Sequence, residues 1–161
     1  MMRWALVLSV VLLVVPVMLL ACLSLWGQRP KELGLLAGRL RDCPATPNCV
    51  CTQATDPAQR LPPLTFSESP AEAQARLKRA LATLPRTRIV TEAGLYLHAE
   101  ATSLVFRFVD DLEFLVDPEA RVIHFRSAAR VGYSDLGANR ARMERLRAAF
   151  DRLAPSAEPH P

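Results

Sequence analysis

Leu95-Tyr96-Leu97-His98-Ala99-Glu100-Ala101-Thr102 is the stretch on which the fold class turns. Apolar Leu95, Leu97, Ala99 and Ala101 alternate with Tyr96, His98, Glu100 and Thr102, the period of a half-buried strand. Downstream, Leu104, Phe106 and Phe108 alternate with Val105, Arg107 and Val109, which predicts a second strand. Leu112, Phe114 and Val116 continue the pattern past Asp110-Asp111. Asp117-Pro118-Glu119-Ala120 reads as a turn, and residues 121–127 as a last strand. Upstream, residues 88–92 are short and β-branched. Connections this short between strands imply an antiparallel meander.

A helix is expected on each side of that meander. Ser69-Pro70-Ala71-Glu72 carries an N-cap, a proline suited to the first helical position and the glutamate of a capping box. Ala73, Leu77, Ala80, Leu81 and Leu84 then recur at helical spacing, with Arg76, Lys78 and Arg79 outside the stripe, and Pro85 ends the run. The final helix is expected to start near Ser134 or Asp135 and to bury Met143, Leu146, Phe150 and Leu153. Helix, sheet and helix in that order predict an α+β two-layer sandwich.

The first residues differ chemically from the rest. No formal charge occurs from Trp4 to Trp26, a run long enough to cross a bilayer core as a helix. It reads as an uncleaved transmembrane anchor, as a lipoprotein signal with Cys22 the acylated residue of Leu19-Leu20-Ala21-Cys22, or as a cleaved secretory signal. The chain thus divides into an anchor or signal over 1–26, a juxtamembrane linker over 27–42, a single domain over 43–154 and a disordered tail over 155–161. The expected setting is the bacterial cell envelope, with an inner-membrane anchor or lipid and a periplasmic domain. Arg29, Lys31, Arg39 and Arg41 after the segment, against Arg3 before it, argue for the opposite orientation.

Cys43 and Cys49 bracket a loop with two prolines, short enough to close as a disulfide in an oxidising compartment. Cys49-Val50-Cys51 also admits a redox pair or a soft-metal site, although no histidine nearby in sequence supplies a further ligand. No metal and no cofactor is implied.

Two polar clusters are candidates for chemistry. Asp110, Asp111 and Glu113 could act as acid/base groups or hold a cation, but Arg107, Arg126 and Arg130 in adjacent segments make an ion-pair network the leading reading. Residues 126–140 form a glycine-containing loop, rich in arginine and hydroxyls, that runs into a helix start. Arg126, Ser127, Arg130, Tyr133, Ser134, Asp135, Asn139 and Arg140 are therefore the candidate contacts for a small anionic ligand, a lipid head group or a protein partner. The net charge of +4 is modest, and the helix arginines lack interleaved aromatics, so nucleic acid is not expected.

Cys43-Pro44-Ala45-Thr46-Pro47-Asn48-Cys49-Val50, Phe108-Val109-Asp110-Asp111-Leu112-Glu113-Phe114 and the run from Arg126 to Arg140 resemble, in order, three motifs of the bacterial and plastid family called domain of unknown function 1499. Ala129 and Cys51 stand where that family often has serine, which sets Cys51 apart from any shared chemistry. The resemblance implies a fold and a usual envelope or membrane association, and no activity. Taken together, the residues predict a membrane-tethered, non-enzymatic binding or structural module. The alternatives are an enzyme built on the three carboxylates or a cysteine redox or metal-binding protein.

Overall fold

The computed structural model describes residues 2–26 and 32–155. Helix α1 spans Met2–Trp26. Its described side chains, Trp4 and residues 10–22, are mostly exposed, Cys22 among them. Among the described residues no helix is long and apolar enough to cross a membrane. The crossing segment expected over residues 4–26 includes side chains outside those described, and so do linker residues 27–31 and the tail beyond Pro155.

The remaining elements are β1 (Leu35–Leu36), β2 (Arg39–Leu40), β3 (Cys49–Cys51), β4 (Leu64–Thr65), α2 (Pro70–Ala82), β5 (Thr87–Ala93), β6 (Tyr96–Thr102), β7 (Val109–Asp117), β8 (Val122–Ala129) and α3 (Ala138–Arg152). Strands β5 to β8 form the expected antiparallel meander, and β3 adds to the far side of β8 with Cys51 opposite Arg126. β4 pairs with the other half of β8, Leu64 opposite Ile123. The class is α+β, with an open antiparallel sheet.

Both helices lie on one face. α2 begins with the expected capping box: Glu72 N–H donates to Ser69 Oγ, while the Glu72 carboxylate accepts from the Ser69 N–H. Leu77 and Leu81 of α2 and Met143, Leu146 and Phe150 of α3 pack on Leu97, Leu112, Phe114, Ile123 and Phe125 in one buried cluster. Fully burying an aliphatic or aromatic side chain is worth about 1.5–3 kcal/mol, so this face supplies most of the driving force for folding. Arg76 departs from its expected exposed position. Its guanidinium is buried 3.7 Å over the Phe150 ring and pairs with Glu68 at 2.8 Å, bridging the two helices.

Other expectations need correction, among them Leu153, which stands 36% exposed just past the end of α3 and outside its buried stripe. Residues 104–108 form no strand: Ser103 N–H donates to Phe108 O, and Arg107 takes φ 58°, so the chain folds into a closed loop between β6 and β7. Period-two alternation cannot distinguish a strand from a loop whose alternate side chains happen to be apolar. The final helix begins at Ala138, later than Ser134 or Asp135, because Gly137 at its N-cap adopts the left-handed region at φ 80°. Residues 35–40, linker by composition, pair as a hairpin (β1–β2) that buries Leu40 and packs against β7 and β8 on the face away from the helices.

Candidate functional site

Alternation along the strands places two sets of polar side chains on opposite faces of the sheet. On the face away from the helices stand Tyr96, His98 and Glu100 of β6, Asp111 and Glu113 of β7, and Arg126 of β8, with Arg130 just beyond. Register brings them into contact. Glu113 lies opposite Arg126, whose Nη1 donates to Glu113 Oε2 at 2.9 Å. Glu113 Oε1 accepts from Tyr96 Oη at 2.8 Å and from the Gly34 N–H at 2.7 Å. Asp111 receives Arg130 in a two-pronged contact, Nε to Oδ2 at 2.9 Å and Nη2 to Oδ1 at 2.7 Å. His98 Nε2 lies 2.8 Å from Asp111 Oδ1. Arg130 also pairs with Glu100, which in turn accepts from Arg88 at 2.7 Å.

This network is buried: Glu113 is 0% exposed, Asp111 3%, Arg130 4% and Arg126 8%. Burial alone would raise the carboxyl groups of Asp111 and Glu100. Hydrogen bonds from Arg130 and His98 hold Asp111 below the ordinary range, and those from Arg130 and Arg88 do the same for Glu100. Burial, and then the Glu113 acceptor, push the Tyr96 phenol upward. Buried Cys51, on the same sheet face, has its thiol raised by burial, so it is poorly suited to act as a nucleophile.

The cover over this face is the β1–β2 hairpin and the following loop, which the Cys43–Cys49 disulfide closes. Between loop and sheet lies a cavity of about 770 Å³. Its walls include Glu32 and Asp42 from the cover, and Asp111, Arg126 and Arg130 from the sheet side. Arg126 Nε is buried without a hydrogen-bond partner among the described residues. Replacing Cys43 and Cys49 by serine should cost about 2 kcal/mol, the entropy of a short closed loop. Thermal denaturation of the paired variant against the parent checks this, and an unchanged melting temperature would show that the loop is held by its other contacts.

On the helix-side face a second group joins the sheet to α3. Asp110 accepts from Arg142 at 2.6 Å, and Arg142 also donates to Asn139 Oδ1 at 2.7 Å. Ser127 Oγ donates to the same oxygen at 2.5 Å, and Asn139 Nδ2 donates to Asn48 O at 3.1 Å. Burial pushes the Asp110 carboxyl up despite Arg142. Asp135 serves the helix start through the Gly137 and Asn139 N–H groups, at 3.0 and 2.7 Å.

The sequence-adjacent acidic cluster is thus divided, with Asp110 on one face and Asp111 and Glu113 on the other. The eight candidate ligand contacts are divided as well. Arg126 and Arg130 line the large cavity, whereas Tyr133, Asp135 and Arg140 line a separate one of about 270 Å³ on the other side of the disulfide loop. Ser127 and Asn139 are fully buried in the link to α3, and Ser134 is exposed, its Oγ accepting from Leu136 N–H. Residues absent from the candidate list carry much of the site: Tyr96, His98 and Glu100, plus Asn48, whose side chain donates to Gly132 O at 2.6 Å. The polar half of the β6 alternation was the signal for the first three. Among the described residues no group of three or more His, Cys, Asp or Glu could hold a metal ion.

A family model described as protein of unknown function (DUF1499) matches residues 39–150. No curated protein matches the chain.

Proposed function

The chain belongs to the DUF1499 family of proteins of unknown function, and we propose that it is a membrane-tethered, non-enzymatic module that binds a small ligand carrying an oxyanion group. The observation that carries this reading is the 770 Å³ cavity above the charged sheet face, within the size of small-molecule sites. Arg126 lines the wall, and its buried Nε–H is a donor without an acceptor among the described residues, an unmet demand at the edge of the cavity. The carboxylates behind Arg126 and Arg130 fix both guanidinium groups, so little side-chain entropy remains to be lost on binding. Glu32, Asp42 and Asp111 in the same wall suit a ligand that also bears hydroxyl or ammonium donors.

An enzyme built on the carboxylates is less well supported, since Asp110, Asp111 and Glu113 already serve arginine partners on two different faces. Tethering is supported by the uncharged run from Trp4 to Trp26, and a periplasmic setting by the disulfide.

The test is thermal denaturation of the full chain in detergent with inorganic phosphate, glycerol 3-phosphate and a short-chain phosphatidylglycerol below its micelle concentration. A fitting probe at a hundredfold excess over its Kd should raise the melting temperature by roughly 10 °C. Arg126→Lys keeps a cation for Glu113 but removes the Nε donor, and should abolish the rise. Response to the lipid alone identifies a head group, and response to the soluble phosphates identifies a free anion. No response to any probe, or an Arg126→Lys chain that responds like the parent, overturns the reading.

A further inference from the structure

β6 ends at Thr102 opposite Val109, where β7 begins, and Ala129 at the end of β8 lies opposite Asp110. The 103–108 loop and the 130–137 loop therefore leave the same end of the sheet, and Arg130 N–H donates to Val109 O between them. Both carry apolar side chains into solvent. Leu104 and Val105 are 70% and 74% exposed, Tyr133 is 72% and Leu136 is 96%. Scattered exposed leucines need no explanation, but four large apolar side chains at one end of a small domain do. Nor are these loops loose: Phe108 N–H donates to Ser103 Oγ, and Asn48 holds Gly132.

We propose that this end of the sheet docks on the lipid bilayer, with Leu104, Val105, Tyr133 and Leu136 entering its interface. Two observations choose a bilayer over a protein partner. The first is continuity with the tether, and here the proposal rests on the reading of residues 4–26 as an anchor. Glu32 and the Val131–Gly132 start of the 130–137 loop line one cavity, so the chain from α1 enters the domain at the wall of a cavity that reaches this end. Between Trp26 and Glu32 the chain spans at most about 20 Å, which keeps that end close to wherever α1 is anchored. The second is charge. Arg86, Arg107 and Arg145 are exposed around the 103–108 loop, and the cleft shared by Leu104, Arg86 and Arg145 has no acidic side chain in its wall. Of the acids near this end, Asp110 is paired with Arg142 and Asp135 is occupied by the α3 N-terminus, while exposed Glu32 lines the large cavity and not this cleft. Arginines flanking apolar tips and an aromatic suit anionic head groups over a shallow apolar layer.

The experiment uses the full chain in vesicles of mixed phosphatidylcholine and phosphatidylglycerol. Trp4→Phe and Trp26→Phe remove both natural tryptophans, and Leu104→Trp or Leu136→Trp reports from a loop tip. Because both positions are exposed, the substitutions leave the core intact. The expected result is a blue-shifted emission that is quenched when the lipids are brominated, with both effects lost on replacing Val105 and Tyr133 by aspartate. Flotation with the vesicles reads the tether separately. A chain that floats but gives unquenched, water-like emission overturns docking and leaves the tether standing. Blue-shifted emission without bromolipid quenching also overturns it, since a second copy or another chain then covers the tips. If the chain does not float, the tether reading fails. Quenching at high vesicle concentration would still uphold docking, and its absence there overturns both.

Discussion

Glu113→Ala should destabilise the domain by about 3–5 kcal/mol and lower its melting temperature by roughly 10–20 °C. Glu113 is fully buried, and its two carboxylate oxygens take hydrogen bonds from Arg126, Tyr96 and the Gly34 backbone. Removing it leaves the buried Arg126 cation without its counter-charge, and the desolvation cost of an unpaired buried charge far exceeds the net worth of the pair. The same physics separates this effect from simple loss of a side chain. Glu113→Leu combined with Arg126→Met removes both charges at similar volume, and should recover the part of the loss due to the unpaired cation, while the Tyr96 hydroxyl and Gly34 N–H stay without their acceptor. Equilibrium denaturation of the single and double variants makes the comparison. A single variant within about 1 kcal/mol of the parent would mean that water reaches Arg126 readily.

The second large effect is expected at Asn139, which sequence reasoning groups with the ligand contacts. Asn139→Ala should cost about 3 kcal/mol, because it strands Ser127 Oγ, Asn48 O and one nitrogen of Arg142 at a buried junction. The loss should appear as a lower melting temperature with an unchanged rise on adding the phosphate probes. The opposite pattern, intact stability and lost response, would return Asn139 to the binding site. Arg126→Lys should show the reverse pattern, since Arg126 stands on the sheet face away from the helices whereas Asn139 of α3 meets the other face through Ser127.

Much of this architecture was legible in local sequence. The capping box at Ser69 and Glu72 is a contact across three residues, so its signal lies in one short window. The alternation of Leu97, Ala99 and Ala101 with Tyr96, His98 and Glu100 reports a strand with one apolar face wherever its partners lie. The Cys43–Cys49 bridge was readable for a similar reason, since a six-residue separation leaves the loop few ways to run. Local pattern failed between β6 and β7. The 103–108 loop imitates a strand in composition, and Arg107 at positive φ is a conformation that no periodicity announces.

What the sequence by itself determined, then, is which segments are helix or strand and which side of each is apolar, because those follow from periods of two and 3.6 residues. Only the tertiary structure decided which polar residues share a site. Arg126 meets Glu113 and Arg130 meets Asp111 through strand register, while Asp110, one residue from Asp111, is turned to the other face and to Arg142. A pleated strand sends neighbouring side chains apart and brings distant ones together. The cavity, the unpaired Nε donor of Arg126 and the placing of the two loops at one end of the sheet thus come from non-local pairing, which no window of sequence contains.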